Sequence, residues 1–301
     1  MTTASPPKRA FILDFDGTIT VKDTISFLFQ IGLSKQASLG VDKTEVHEAI
    51  ISKYSEDFFG HLENYRLVKE DRRTLHEEVD YYRSLKEVEV RSFERVSDSG
   101  LFGGIKEDEW RSYGGDAIKN GEVSVREGFA DFCRHVKNTN SVWGIVSVNF
   151  SREFIRGVVD ASGSKENQLE ILANVSNEKG VLRGPAISSW ALSEQIIATC
   201  DAKLAAMKCL LDIWKEKAFF GKNCPETLVP VYIGDSGTDI ECLADESVVG
   251  IVMAENGLNS LVDIAGRIGM AKHVRDFRET DTRRIYWARD FTEILRSPLF
   301  M

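Results

Sequence analysis

Four short apolar runs recur along the chain, and each is followed at once by small or polar residues. They cover residues 10–14, 142–148, 228–233 and 248–253. Short, continuous apolar runs are typical of strands that are buried on both faces, as in a parallel sheet. The loops that follow them carry Asp, Ser, Asn or Gly. The pattern therefore predicts a parallel sheet whose strands end in polar loops.

Helical patterns lie between these runs. Apolar side chains recur at spacings of three and four in residues 151–160 and 201–214, and the pattern continues in 238–244. We predict a further helix around Trp287, in the segment IYWARDF. Strands that alternate with helices predict a doubly wound α/β fold, and such sheets bind ligands at the carboxyl ends of their strands.

The segment between the first two strands has a different character. Residues 21–125, called the helical insertion below, are rich in Glu, Lys, Arg, Tyr and Phe and contain few clusters of β-branched residues. Three stretches within it have the pattern of amphipathic helices: 44–59, 62–96 and 106–119. We therefore predict a second domain of helices at 21–125, inserted into an α/β core formed by residues 1–20 and 126–301.

Composition narrows the class of protein. An apolar fraction of 43% and a charged fraction of 28% are those of a globular protein with a sizeable core. The formal net charge of −9 disfavours nucleic acid as a partner, because the phosphate backbone would be repelled. The polar start MTTASPPKRA is not the core of a signal peptide, and we see no apolar run long enough to span a membrane.

The cysteines indicate the compartment. There are five, an odd number, and no two have the C-x-x-C spacing: Cys133, Cys200, Cys209, Cys224 and Cys242. We expect them to be reduced and mostly buried, which predicts a cytoplasmic protein. The sequence does not indicate an oligomeric state.

Two pairs of carboxylates follow predicted strands. Asp14 and Asp16 are two residues apart beyond the first strand, and Gly17 permits the chain to turn so that both face one pocket. Asp235 and Asp239 lie in the sequence GDSGTD beyond the third strand. Carboxylates in such a loop suit a hard cation such as Mg²⁺, which keeps water and phosphate oxygens as its other ligands.

Two further side chains suit an anionic ligand. Ser147 ends the second strand and is followed by Asn149, so a hydroxyl and nearby amides can donate to phosphoryl oxygens. Lys203 lies in the first turn of a predicted helix, where its charge opposes the helix dipole. Together with the four carboxylates, these residues supply what phosphoryl transfer needs: a nucleophile, an acid, a metal site and donors to oxygen.

At these residues the sequence resembles the haloacid dehalogenase superfamily, in its phosphatase branch. The resemblance implies that Asp14 is the nucleophile and becomes an aspartyl-phosphate, while Asp16 is the general acid and base. It implies that Mg²⁺ is bound by the Asp14 carboxylate, the Asp16 main-chain carbonyl and Asp235. Asp239 is then an acid close to the metal that orients Lys203.

The resemblance also implies a substrate class and a lid. Ser147, Asn149 and Lys203 are expected to bind the phosphate of a small phosphorylated metabolite. The helical insertion corresponds to a C1-type cap, and the core is most similar to the group of phosphoserine and thiamine-monophosphate phosphatases. Asp23 and Phe27 are expected at the substrate pocket. Asp23 stands where phosphoserine phosphatases have a longer glutamate, which disfavours a serine phosphate.

Other activities remain open from the sequence. A phosphotransferase or phosphomutase would keep every motif, because only the acceptor differs from water. A regulatory protein without activity could share the fold, although such proteins usually lose the nucleophile or the metal ligands. A dehalogenase is disfavoured because it needs neither Asp16 nor a metal site.

Overall fold

The computed structural model describes residues 9–139, 141–164, 166, 168–187, 193–216, 230–257, 259–269, 271–281 and 285–300. Its strands are β1 (Ala10–Leu13), β2 (Val142–Val146), β3 (Glu170–Leu172), β4 (Val175–Ser176), β5 (Leu182–Arg183), β6 (Val231–Gly234), β7 (Val249–Met253), β8 (Ala271–His273) and β9 (Ile285–Ala288). Its α-helices are α1 (Ile25–Ser38), α2 (Thr44–Asn64), α3 (Leu75–Ser84), α4 (Lys86–Ser99), α5 (Glu107–Lys119), α6 (Phe129–Asn138), α7 (Arg152–Ala161), α8 (Cys200–Glu216), α9 (Ile240–Ala244), α10 (Ser260–Arg267) and α11 (Phe291–Leu295).

The main sheet has seven strands in the order β3-β2-β1-β6-β7-β9-β8, and each neighbouring pair is parallel. Strands β4 and β5 form a separate antiparallel pair. The predicted α/β fold with a doubly wound parallel sheet is confirmed. Because β1 lies between β2 and β6, the loops after these three strands meet at one edge of the sheet.

Both faces of the sheet are buried, which explains the continuous apolar runs. Phe11 and Leu13 pack into one hydrophobic cluster, while Ala10 and Ile12 pack into the cluster on the other face. Successive side chains of a strand point to opposite faces, so a strand covered on both sides needs apolar residues throughout. Helix α8 covers the second face, and its Trp214 is fully buried there.

Helices of the insertion pack in two ways. Helix α5 lies very close to α7: a Cβ added at Gly114 would be 2.2 Å from the Phe154 carbonyl oxygen, and one at Gly157 would be 2.1 Å from that of Arg111. Helices α2 to α4 share a small cluster around Tyr81 and Leu85. Helices α2 and α4 also contribute Ile50, Phe93 and Val96 to the main core. The division at residues 20 and 125 stays a prediction. An antiparallel bridge joins Thr20 to Val125 where the chain leaves and re-enters the core.

Two predicted elements are wrong. A single helix over 62–96 is interrupted, because the chain leaves α2, passes through a short 3₁₀ turn at Lys69–Asp71, and then forms α3 and α4. The segment around Trp287 is strand β9, not a helix. This strand lies between β7 and β8, where hydrogen bonds to both neighbours and burial of Ile285 and Tyr286 favour the extended chain.

Two other predictions concern residues that are only partly described. Positions 228 and 229 of the third predicted strand lie outside the described residues, as does Cys224. The other four cysteines are buried free thiols. Among the helices that the structure describes, none has the length and apolarity needed to cross a bilayer.

Candidate active site

The loops after β1 and β6 bring three carboxylates together. Asp14 directly follows β1, and its amide donates to the Ile233 carbonyl at 2.8 Å. Asp235 directly follows β6, and Asp239 ends the short 3₁₀ turn after it. One carboxylate oxygen from each of the three aspartates lies within 4.8 Å of the others. The chain thus gathers acids that are more than two hundred residues apart in sequence.

Glycines allow these loops to approach each other. Gly17 has φ +72°, and a Cβ there would lie 2.2 Å from Asp235 Oδ2. A Cβ at Gly234 would lie 2.4 Å from Asp239 Cγ. Since such contacts are far shorter than van der Waals distances, a side chain at either position would push the carboxylates apart.

Lys203 is the cation of this cluster. It comes from the first turn of α8 and is fully buried. Its Nζ lies 2.8 Å from Asp14 Oδ1 and 2.6 Å from Asp239 Oδ1. Burial opposes the charge on Lys203, but the two carboxylates outweigh it and raise the pKa of the amine above its ordinary value. The two carboxylates therefore favour the charged form of Lys203 beside Asp14.

Asp239 has its oxygens committed to the protein. Its Oδ2 accepts hydrogen bonds from the amides of Asp235 and Ser236 and from the Ser236 hydroxyl, at 3.0 to 3.1 Å. Its Oδ1 accepts from the Tyr232 hydroxyl at 2.6 Å in addition to its ion pair with Lys203. Asp239 thus accepts hydrogen bonds from the loop and forms an ion pair with the lysine.

The charge balance of the cluster fits a divalent cation. When all three carboxylates are ionised, the one lysine leaves two negative charges in a buried space. Burial first, and then the charge of Asp239, raise the pKa of Asp14 above its usual range and that of Asp235 to about 7. Asp14 Oδ1 accepts no well-aligned hydrogen bond within the described residues. Carboxylate oxygens with such an excess of negative charge are the ligands that Mg²⁺ prefers.

Asp16 is a buried carboxyl held by donors. Its Oδ1 accepts from the amide of Thr24 at 2.8 Å and from its hydroxyl at 2.6 Å. Its Oδ2 accepts from Asn149 Nδ2 at 2.8 Å. Burial, reinforced by the charge of Asp23, raises the pKa of Asp16 to about 6 despite these hydrogen bonds. A carboxyl with this pKa exchanges a proton readily near neutral pH.

The side chain of Asn149 lies on Asp16. Besides its bond to Asp16, Nδ2 lies 3.1 Å from Thr24 Oγ1, and Oδ1 accepts from the Ser151 amide at 3.0 Å. Ser147 is fully buried at the end of β2, and its Oγ accepts from the Asn149 amide at 3.1 Å. The two predicted phosphate-binding residues of this loop therefore have different surroundings.

The two predicted pocket residues make different contacts. Asp23 is exposed, and its Oδ1 accepts from the Ile25 amide at 2.7 Å, which stabilises the start of α1. Phe27 is half-buried, and its ring centroid lies 6.0 Å from that of Phe154 on α7. Phe27 therefore packs against the hydrophobic core.

Three residues that support these loops were missed from the sequence. Asn259 caps α10 and donates to the Asp235 carbonyl at 2.8 Å. Asn174 is fully buried and joins the loop after β2 to the segment before α8, through the carbonyls of Asn149 and Ile197. Only Asn259 offered a usable signal, because asparagine is a common N-cap residue at the start of a helix.

Arg126 is the third of these supporting residues. Its guanidinium donates to the carbonyls of Gly17 and Thr18 and to that of Arg289. It thereby ties the loop after β1 to the loop after β9. A lone arginine in a polar stretch gives no sequence signal for such a role.

Sequence comparison relates part of the chain to a curated protein. No family model matches the chain. Cold tolerance protein 1 of Saccharomyces cerevisiae (strain ATCC 204508 / S288c) is 24% identical over 163 residues, which are 50% of this chain and 51% of that protein. The match thus spans about half the length of this relative.

Two solved structures are similar over almost the whole chain. A phosphoserine phosphohydrolase-like protein from Francisella tularensis subsp. tularensis SCHU S4 is 15% identical with a TM-score of 0.50, covering 96% of this chain and 98% of that one. Cytosolic 5'-nucleotidase IIIB, bound to cytidine, is 14% identical with a TM-score of 0.52, covering 98% of this chain and 86% of that one. The chain has a haloacid dehalogenase-type fold.

A haloacid dehalogenase-type fold accounts for the placement of the site. The loops after β1, β2 and β6 of this fold carry Asp14, Ser147 and Asp235 at one sheet edge. At 14 to 15% identity the likeness establishes the fold alone. The chemistry must be argued from the side chains of this chain.

Proposed function

We propose that the protein is a Mg²⁺-dependent phosphomonoester hydrolase that acts on a small phosphorylated metabolite. The observation that carries the proposal is the buried group of Asp14, Asp235 and Asp239 around Lys203. The excess of negative charge suits the binding of a metal ion. The metal ion and the lysine together suit a phosphate dianion beside the nucleophile.

The reaction proceeds in two balanced steps. An oxygen of Asp14 attacks the phosphorus, the ester P–O bond breaks, and the carboxyl of Asp16 gives its proton to the leaving alkoxide. The carboxylate of Asp16 then takes a proton from water, whose oxygen attacks the phosphorus. The bond between phosphorus and Asp14 breaks, inorganic phosphate leaves, and Asp16 is protonated again.

The remaining residues bind and orient. When bound by Asp14, Asp235 and the main-chain carbonyl of Asp16, Mg²⁺ supplies neutralisation of phosphoryl charge. Lys203 and Ser147 donate to phosphoryl oxygens. Asn149 holds Asp16 in place rather than contacting phosphate, a role supported by its 2.8 Å bond to that carboxyl.

The free cysteines support a reducing compartment. Cys133, Cys200, Cys209 and Cys242 are buried thiols, and such cysteines persist in the cytoplasm. A cytoplasmic metabolite phosphate is therefore the substrate class we infer. Neither nucleic acid nor membrane is needed for it.

A screen of phosphate release tests the proposal. The wild-type protein is incubated with Mg²⁺ and a panel of small phosphate esters, beside Asp14→Asn and an exposed control, Asp98→Asn. We expect phosphate release by the wild type and the control, no release by Asp14→Asn, and no release in EDTA. Release that required an added alcohol acceptor would identify a phosphotransferase. Full activity of Asp14→Asn would refute the proposal.

A further inference from the structure

A cavity of about 180 Å³ lies between the helical insertion and the core. Helices α2 to α4 form one side, and the segment before α8 and the loop after β6 form the other. The residues that define it are Phe58, Tyr82, Leu85, Glu89, Thr199 and Thr238.

The cavity shares a wall with the proposed reaction centre. Thr238 lines it, and the Oγ1 of this threonine lies 3.3 Å from Lys203 Nζ, which in turn lies 2.8 Å from Asp14. Ser236 also lines it and donates to Asp239. Only the side chain of Thr238 therefore separates Lys203 from this cavity, and a group bonded to a phosphate beside Lys203 lies close to it.

The insertion gives the cavity an apolar lining with one acid. Phe58, Tyr82 and Leu85 supply the apolar surface, and Glu89 is the one ionisable carboxylate among the described lining residues. Glu89 Oε1 accepts from the Tyr54 hydroxyl at 3.0 Å. Within the described chain, no lysine, arginine or histidine pairs with it. Burial raises the pKa of Glu89, so a cation beside it would be stabilising.

Volume limits what the cavity takes. A short aliphatic chain or a single ring fits this space. Aromatic faces beside an acid favour a positively charged nitrogen, since both attract a cation.

We propose that this cavity holds the leaving group of the substrate, and that the leaving group is compact, apolar and carries an ammonium. The substrate class is then a phosphate monoester of an amino alcohol. This proposal rests on the proposed function of the Asp14 site. Glu89 is the specificity-determining residue of the cavity, and its negative charge also repels an anionic leaving group.

Matched esters test the proposal on the wild-type protein. Aminoethyl phosphate is compared with propyl phosphate, and para-(aminomethyl)benzyl phosphate with para-methylbenzyl phosphate, by kcat/KM with Mg²⁺. We expect the ammonium member of each pair to be preferred by about tenfold or more, because a charge-assisted contact is made only by that member. Equal kcat/KM within both pairs, or faster hydrolysis of nucleotides, overturns the proposal.

Two variants on one helix assign the preference to its residue. Glu89→Gln is expected to bring the ratio within each pair close to one. Glu87→Gln changes an acid whose side chain is 90% exposed on the same helix, and it should keep the wild-type ratio. Thermal unfolding checks that both variants are folded. A ratio unchanged in folded Glu89→Gln overturns the assignment.

Failure of the two proposals gives different results. Hydrolysis of the esters without an ammonium preference refutes the proposed role of the cavity but leaves the proposed phosphatase function standing. If no ester is hydrolysed, the proposed function fails. Calorimetric binding of the same four esters then tests whether the cavity prefers an ammonium group. Tighter binding of the ammonium members supports it, and equal binding overturns it.

Discussion

Asn149 illustrates how a single buried amide controls the chemistry around it. Its Nδ2 is shared between Asp16 and Thr24, and its main-chain amide donates to Ser147. Because the residue is fully buried, water cannot replace these bonds when the side chain is removed. The position of the proposed acid therefore depends on a neighbour from the loop after a different strand.

Replacing Asn149 by Ala is expected to lower kcat by at least about tenfold, because it releases a group whose catalysis depends on position. The free energy of unfolding should fall by about 1–3 kcal/mol, the cost of leaving a buried acceptor unpaired. Steady-state kinetics and urea unfolding measure the two effects. Asn138→Ala, at an exposed position of α6, serves as the control. Wild-type kcat in Asn149→Ala would contradict the positioning role.

Sequence indicated Asp14, Asp235 and Asp239 because each follows a buried strand or its loop, and strand ends meet at one sheet edge. The direction of a side chain is a different matter. Asn149 was expected at the phosphate, yet its amide lies on Asp16. Nothing in the spacing of residues 147 and 149 distinguishes these orientations, since they depend on contacts with Asp16 and Thr24, which are distant in sequence.

At the scale of elements, α3 joins the insertion to the site. Arg83 makes a two-bond ion pair with Glu241 of α9. Glu78 is fully buried and is held by Arg72 and by Arg267 of α10. A Cβ at Gly237, in the loop after β6, would lie 1.9 Å from Tyr82 Cε1. Helix α3 therefore docks directly on the loop that carries Asp235.

Gly237→Ala is expected to destabilise the protein by about 1–3 kcal/mol, because the added methyl overpacks this contact. Removing the tyrosine ring should recover part of that loss, so Tyr82→Ala and Gly237→Ala should be non-additive. Urea unfolding of the single and double variants measures the coupling. Gly60→Ala is the matched control, since a methyl there meets nothing within 4 Å. Additive effects would contradict the docking of α3 on this loop.

Element boundaries were predictable where the chain carries a local signal. The break before α3 could have been found, because Thr74 and Glu77 form a capping box that is visible in the sequence. Strand β9 could not. Its four residues are followed by Arg-Asp-Phe, and their extended form depends on pairing with β7 and β8, which are separate segments of the chain.

At the scale of the whole molecule, the fold buries an unbalanced charge at the sheet edge where its central strands end. Three carboxylates and one lysine meet where three parallel strands end. A cation that binds this group binds the folded chain and not the unfolded one. The stability of the protein should therefore depend on the metal.

Mg²⁺ is expected to raise the melting temperature of the wild type, with a stabilisation of about 2.7 kcal/mol at a hundred times the Kd. Asp235→Asn should lose this response, and in EDTA it should be more stable than the wild type because one repelling charge is gone. Asp98→Asn should respond like the wild type. Thermal unfolding at matched ionic strength is the measurement. An equal response in Asp235→Asn would contradict the metal site.

The central claim is that Asp14 becomes phosphorylated during turnover. Acid quenching of the wild type during hydrolysis of a good ester substrate, followed by peptide mass spectrometry, tests it directly. The account predicts one phosphoryl group on the peptide that contains Asp14, and none in Asp14→Asn. Phosphate turnover with no phosphoryl group on this peptide, or with the group on another residue, would contradict it.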